Sequence, residues 1–193
     1  MKRIVVSTVL CFLALSLSAH AFDGNRKGFV IGGGLGLAPV SSWSLQNSPF
    51  DENRAGIGLN LIIGYAWDNH NMIVYEGNVV GYSSRFDGFR TNNGLGVIEN
   101  KPNIGQGYNG ASWYHYFTEI GHSWFTVAGL GVYTMDVENL NSNDPGPGIL
   151  LGGGYEFAPH YQIGLYLSAG SSSNGMSDYD NAHLSVLFTA IAF

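Results

Sequence analysis

The chain has 193 residues, of which 8 are Lys or Arg and 14 are Asp or Glu, for a formal net charge of −6. One domain of ordinary size fits this length. The acidic balance speaks against nucleic acid as a partner, because there is no basic face with which to release phosphate counterions. Charged residues make up 11%, where about a quarter is usual for a soluble domain. Glycine and aromatics are abundant instead, with 28 Gly, 11 Tyr and 11 Phe. Few charges, many glycines and many aromatics together fit strands that keep one face in lipid.

The first segment is a targeting signal rather than part of the domain. Lys2 and Arg3 precede an apolar run from Ile4 to Leu17, and Ala19-His20-Ala21 supplies the small-x-small pattern of a cleavage site. The run is too short to span a bilayer as a helix. Residues 1–21 are therefore expected to be removed, and the mature domain to cover residues 22–193. The single cysteine, Cys11, falls inside the signal and has Leu10 before it, not the small residue that lipidation would need. A mature chain without a thiol has no disulfide, no thiolate catalyst and no cysteine–metal site.

After the signal the chain repeats one cycle, an apolar Gly-rich stretch edged by aromatics and then turn residues. Eight such stretches run approximately Gly28–Ala38, Gly56–Trp67, Met72–Tyr82, Gly107–Phe117, Ser123–Thr134, Gly148–Phe157, Tyr161–Ser171 and His183–Phe193. Each matches a tilted strand crossing a bilayer, roughly 9–11 residues. In the second stretch Ile57, Leu59, Leu61, Ile63, Tyr65 and Trp67 share one face, and Gly58, Asn60, Gly64 and Ala66 the other. The sixth repeats the pattern, with Ile149, Leu151, Tyr155 and Phe157 opposite Gly152, Gly154 and Glu156. In the seventh Tyr161, Ile163, Leu165 and Leu167 oppose Gln162, Gly164, Tyr166 and Ser168. Period two with aromatics at the ends predicts a lipid-facing row with an interfacial girdle. The fourth and eighth stretches carry apolar residues at both parities, and their facing stays open.

The connections alternate in length. Residues 68–71, 118–122 and 158–160 form short links, whereas Pro39–Ala55, Ser83–Gln106, Met135–Pro147 and Ser172–Ala182 are long and polar. That arrangement is how a barrel with both termini on the periplasmic side is organised. Inside the eight stretches the only Asp, Glu, Lys or Arg residues are Glu76 and Glu156, both on the side opposite the apolar row. A charge facing lipid near the midplane costs about 2–4 kcal/mol. The expected fold is all-β: an eight-stranded antiparallel up-and-down transmembrane barrel, integral to the outer membrane of a Gram-negative envelope.

The strand count, the loop alternation, the opening Gly28-Phe29-Val30-Ile31-Gly32 and the terminal Phe193 make the chain resemble the small outer-membrane barrels of the OmpA and OmpX type. The resemblance covers residues 22–193 and implies insertion by the barrel-assembly machinery. Phe193, Ile191 and Leu187 resemble the assembly signal of that class, although Thr189 and Ser185 stand where apolar residues are usual. It also implies a monomer in contact with outer-membrane lipids and lipopolysaccharide.

Several residues are candidates for a site. Glu76, Glu156, Asn60 and Asn78 form a polar lumen set, with no Lys or Arg in the predicted strands to pair the carboxylates. Asp136, Glu138, Asp144, Asp178 and Asp180 form an acidic loop group without the spacing of a calcium loop, so no metal and no cofactor are expected. Arg85, Arg90 and Lys101, together with Phe86, Phe89 and Val97, lie in the longest loop. Gly32-Gly33-Gly34-Leu35-Gly36 lacks the helix and acidic partner of a dinucleotide fingerprint; glycine there fits curvature in a narrow barrel. His183 and Ser185 are two apart, as in outer-membrane lipid A deacylases, which this architecture resembles. Their His-x-Ser-Asn run corresponds to Ser171-Ser172-Ser173-Asn174, which lacks the histidine base. The sequence thus favours a structural or surface-interaction barrel acting through its long loops. A lipid A-modifying enzyme and a narrow, porin-like channel or small-ligand carrier are the alternatives.

Overall fold

A computed structural model describes residues 25–46, 49, 51–84, 102–138, 143–175 and 177–193. Eight strands follow one another: β1 (Gly28–Leu45), β2 (Asp51–Ala66), β3 (Asn71–Ser83), β4 (Asn103–Tyr116), β5 (Ser123–Val137), β6 (Asp144–Ala158), β7 (Tyr161–Ser173) and β8 (Asp178–Ala192). Each pairs antiparallel with the next, and β1 pairs with β8 to close the barrel. Every backbone edge is used, which is what a sheet needs in a layer without water.

The facing follows the period-two rule. Ile57, Leu59, Leu61, Ile63, Tyr65 and Trp67 are exposed on the outside, as are Ile163, Leu165 and Leu167 on β7, while Asn60, Glu76, Glu156, Gln162 and Tyr166 are buried inside. The two open strands are settled as well. On β4 Trp113 and Phe117 point out and Tyr108, Tyr114 and Tyr116 point in; on β8 Val186 and Phe188 point out and Leu187, Ile191 and Phe193 point in. Outer aromatics gather at the short-turn end, where Tyr65, Trp67, Tyr75, Trp113, Phe117, Trp124, Phe157 and Tyr161 are all exposed. Aliphatic side chains fill the wall above them, as a girdle beneath a hydrocarbon band requires.

The strands are longer than the alternation predicts, and the extra length lies at the long-loop end. β1 continues to Leu45 past Pro39, with its register shifting between Ala38 and Ser41 against β2. A proline cannot donate to a ladder and is accommodated at such an irregularity. β6 begins at Asp144 and shifts register between Pro145 and Gly148. Much of the stretches expected as loops, Pro39–Ala55 above all, is therefore paired strand. At these tips the inward side chains are themselves polar, as with the buried Ser41, Glu52 and Asn181, so the hydrophobic alternation that marks a strand is lost there.

Local chemistry sets the short turns. Asp68 Oδ1 accepts from the backbone amides of His70 and Asn71, both at 2.7 Å, an Asx turn between β2 and β3. The β6–β7 link is Pro159-His160, where His160 adopts a left-handed φ of 71°. Its Nδ1 lies 3.0 Å from the carbonyl oxygen of Ile191, and its ring lies 4.8 Å from that of Phe193.

Inside, glycine makes room for tyrosine. A Cβ on Gly129 would sit 2.5 Å from the Tyr108 hydroxyl, and a Cβ on Gly164 would sit 2.6 Å from the Tyr166 ring. The inward glycines therefore do more than allow curvature: they leave the volume that the buried tyrosines occupy. A barrel of eight strands has an interior that side chains can fill, and here Tyr108, Tyr114, Tyr116, Tyr133, Tyr166 and Phe125 fill it.

Candidate functional site: the barrel interior

The bottom of the lumen is closed by a charged plug. Arg26 precedes β1 on the same parity as Gly28 and Val30, so the alternation carried back through the strand aims it inward. Its guanidinium pairs with Glu156 and also donates to the backbone oxygen of Asn69. Arg26 N donates to Asn69 Oδ1 at 2.8 Å, and Gly121 N donates to Glu156 at 3.1 Å. The guanidinium carbon lies 3.7 Å from the centroid of the Tyr116 ring and 6.0 Å from that of Phe193. This corrects the expectation that Glu156 has no basic partner: the partner comes from outside the strands. Both members are fully or almost fully buried, which is tolerable for charges only when they are paired.

Above the plug lies a tyrosine tier. The Tyr116 hydroxyl donates to Gln162 Oε1 at 2.8 Å, and Gln162 Nε2 donates to the Tyr166 hydroxyl at 3.3 Å. Tyr114 stacks against Tyr116 and donates to Glu76 Oε2 at 3.0 Å. Glu76 has no ion pair among the described residues. Among the described residues, Glu76 Oε1, Asn60 Nδ2, Asn78 Nδ2 and Ser112 Oγ, all buried, make no hydrogen bond of ordinary length and angle, although the Asn60, Asn78 and Ser112 side chains surround the Glu76 carboxyl. Donors and an acceptor converge there, which suits a neutral hydrogen-bonding molecule such as water better than a metal ion. Among the described residues no three His, Cys, Asp or Glu side chains gather closely enough to hold a metal.

His183 and Ser185 sit in the next tier, enclosed by the wall at 1% and 0% exposure. His183 Nε2 lies 3.0 Å from Asn78 Oδ1 and its Nδ1 lies 2.7 Å from the Tyr133 hydroxyl. Since Asn78 Oδ1 accepts, Nε2 carries the hydrogen and Nδ1 takes the proton of Tyr133. Ser185 donates to the same Asn78 oxygen at 3.4 Å, and Asn60 Oδ1 accepts from Thr189 at 3.4 Å. Each imidazole nitrogen is thus committed to a structural bond, and no carboxylate orients the ring. The structure brings the predicted lumen residue Asn78 together with His183 and Ser185, the candidates for a catalytic pair, as one hydrogen-bonded knot.

The remaining candidates are placed apart. Asp136 stands in β5, Asp144 in β6, and Asp178 and Asp180 in β8, with Glu138 just past β5. They decorate the strand tips above the aliphatic band instead of sharing two loops. Glu138 accepts from the backbone amide and the side chain of Asn103, at 3.1 and 2.8 Å. At the same rim Glu52, buried, accepts from Trp43 and Ser84 and pairs with Arg54 at 3.8 Å; the alternation predicts a loop at Trp43, Glu52 and Arg54, and the structure has them in β1 and β2. Leu187, Ile191 and Phe193, expected as the assembly signal, all line the lumen, and the outward row of β8 is Val186, Phe188, Ala190 and Ala192. Residues 1–21, Arg85, Phe86, Phe89, Arg90, Val97 and Lys101 lie outside the described residues.

No protein-family model and no curated protein sequence matches the chain. Solved structures do. The crystal structure of Neisserial surface protein A matches with a TM-score of 0.52 at 13% identity, over 84% of this chain and 96% of that one. Ail, the attachment invasion locus protein of Yersinia pestis, crystallised with the heparin analogue sucrose octasulfate, matches with a TM-score of 0.51 at 12% identity, over 84% and 99%. At such identities the likeness is one of fold, and in fold this chain is a small eight-stranded barrel of the kind found in bacterial outer membranes.

Proposed function

We propose that the chain is an integral outer-membrane barrel, solid rather than porous, whose role is structural and interactive and is exercised at the long-loop end. One observation carries the reading: among the described residues an apolar outer wall surrounds a lumen packed with five fully buried tyrosines and sealed by Arg26 and Glu156. Burying the large side chains inside while leaving Leu35, Leu61, Leu130 and Leu165 exposed outside makes sense only if the outside is not water. The packed interior favours this reading over a channel, and the enclosed, fully bonded His183 favours it over a lipid A hydrolase.

Partners follow from the same placement. Outer-membrane lipids contact the wall, lipopolysaccharide contacts the rim, and insertion falls to the barrel-assembly machinery. Asp51, Asp136, Asp144, Asp178 and Asp180 are exposed near the described rim, so a polyanion such as the one bound to Ail is not the ligand this part of the rim suits. Planar-bilayer recording of the purified barrel tests the solid interior. A silent trace is expected, and steady unitary conductance would replace this reading with the channel.

A further inference from the structure

We propose that His70 and His115 form a two-imidazole site for a divalent transition-metal ion of the zinc and copper class, at the short-turn end of the barrel. His70 is exposed in the β2–β3 turn, and His115 stands near the end of β4 on the outward parity of Trp113 and Phe117. Their rings come within 6.4 Å of one another, centroid to centroid. Two imidazoles that share one ion at about 2.0–2.1 Å per bond have centroids roughly 5–6.5 Å apart. The observed spacing is at the wide end of that range, and a small swing of the exposed His70 shortens it. The rings of Trp113 and Phe117 lie 5.9 and 4.9 Å from that of His115 and restrict its rotamers.

Hydrogen placement is what selects a metal. His70 Nδ1 is 2.8 Å from the backbone oxygen of Tyr116, and His115 Nδ1 is 2.9 Å from Asn71 Oδ1. A carbonyl oxygen only accepts, so each Nδ1 carries the hydrogen and each Nε2 keeps its lone pair. Neither Nε2 meets a hydrogen-bond partner among the described residues. A ring N–H given to a carbonyl, with the other nitrogen free, is the arrangement behind metal-bound histidine, because it fixes the tautomer and raises the basicity of the ligating atom. This tautomer offers an anion no donor at Nε2. Hard ions such as calcium prefer oxygen, whereas imidazole suits zinc and copper.

One carboxylate sets both rings. Asp68 Oδ1 accepts from the His70 amide at 2.7 Å, and both Asp68 oxygens accept from Asn71 Nδ2 at 3.1 Å. The Asn71 amide group therefore turns its NH2 toward Asp68 and its Oδ1 toward His115. Asp68 and Asn71 are positioning residues, and the negative charge beside His70 also favours a bound cation. Among the described residues no third His, Cys, Asp or Glu joins the pair, so water completes the coordination.

The test titrates the purified barrel in detergent with zinc by calorimetry, and adds one equivalent of copper for electron paramagnetic resonance. One zinc per chain is expected, with copper hyperfine structure from two imidazole nitrogens, and calcium should give no heat. His70→Ala and His115→Ala are each expected to weaken zinc binding at least tenfold. His122→Ala, which removes another exposed histidine at the same end, should leave it unchanged. Asn71→Ala keeps both ligands and is expected to weaken binding about 10–100-fold by freeing the His115 ring, with heat-modifiable mobility like the parent. Parent-like affinity in His70→Ala or His115→Ala overturns the site, as does a loss in His122→Ala as large as theirs. Calcium binding as tight as zinc would point to oxygen ligands and also overturn it. Unchanged affinity in Asn71→Ala would overturn the positioning role.

Discussion

Arg26 and Glu156 are 130 residues apart in sequence and meet at the bottom of the lumen, their charges buried together against the ring of Tyr116. The pair ties the segment ahead of β1 to the lower end of β6. It makes the lower mouth a lid of charge and aromatic rings.

Removing one partner leaves the other charge buried alone. Glu156→Ala is expected to destabilise the refolded barrel by about 3–5 kcal/mol in urea titrations. The double change Arg26→Met with Glu156→Leu is expected to lose much less, because an apolar pair of similar volume avoids the desolvation cost. Equal losses in the single and double variants would show that the two residues are not coupled.

Tyrosine volume in the lumen depends on bare backbone opposite. Gly129→Ala would place a methyl group 2.5 Å from the Tyr108 hydroxyl and 2.5 Å from Ser112 Oγ, and should cost about 1–3 kcal/mol through overpacking. Adding Tyr108→Phe removes one of those contacts and should restore part of the loss. Gly81→Ala, on the open outer face, should stay within about 0.5 kcal/mol of the parent. Urea midpoints of the four proteins decide the matter.

How much of this was readable in the sequence depended on where water is. Strands β2, β6 and β7 announce themselves because an apolar outer face and polar groups inside give strict alternation, as in Leu59-Asn60-Leu61. β4 and β8 defeat the same rule because the bottom of the lumen is itself apolar: Tyr114, Tyr116, Leu187, Ile191 and Phe193 belong to the inner cluster, while Trp113 and Phe188 are exposed outside. The strand tips were hidden for the opposite reason. Asp51–Ala55 and Asp178–Ala182 put polar side chains on both faces, with the buried Glu52 and Asn181 inward, and so carry no hydrophobic pattern. Glu76, Glu156, Asn60 and Asn78 were placed inside by parity alone, but Arg26 was missed because it precedes the first apolar residue of β1. Its parity with Val30 was the one available signal.

His183 holds Asn78 and Tyr133 in place and carries no chemistry in this account. His183→Ala is expected to lower stability by about 1–3 kcal/mol, since it orphans two buried polar groups, and to leave the acyl-chain masses of lipid A unchanged from the parent strain. An altered lipid A profile would transfer His183 and Ser185 to a catalytic role.

The β2–β3 turn supplies a pH dependence at the short-turn end of the barrel. Desolvation tends to raise the Asp68 carboxyl, but hydrogen bonds from the His70 amide, the Asn71 side chain and the Asn71 amide, with the charge of His70, outweigh it and hold Asp68 below the ordinary carboxylate value. A lowered folded pKa means the turn is favoured above the pKa of the unfolded chain and loses that support as acid carries the pH down through the folded value. Amide exchange at Asn71 should therefore show a protection that falls away only in that acid range. In Asp68→Ala the protection should already be weak at neutral pH.

An apolar outer wall of this extent requires hydrocarbon around it. Alkaline carbonate extraction of the envelope from cells expressing the chain tests this most directly. The protein is expected to stay in the membrane pellet, and release into the aqueous supernatant would contradict the account.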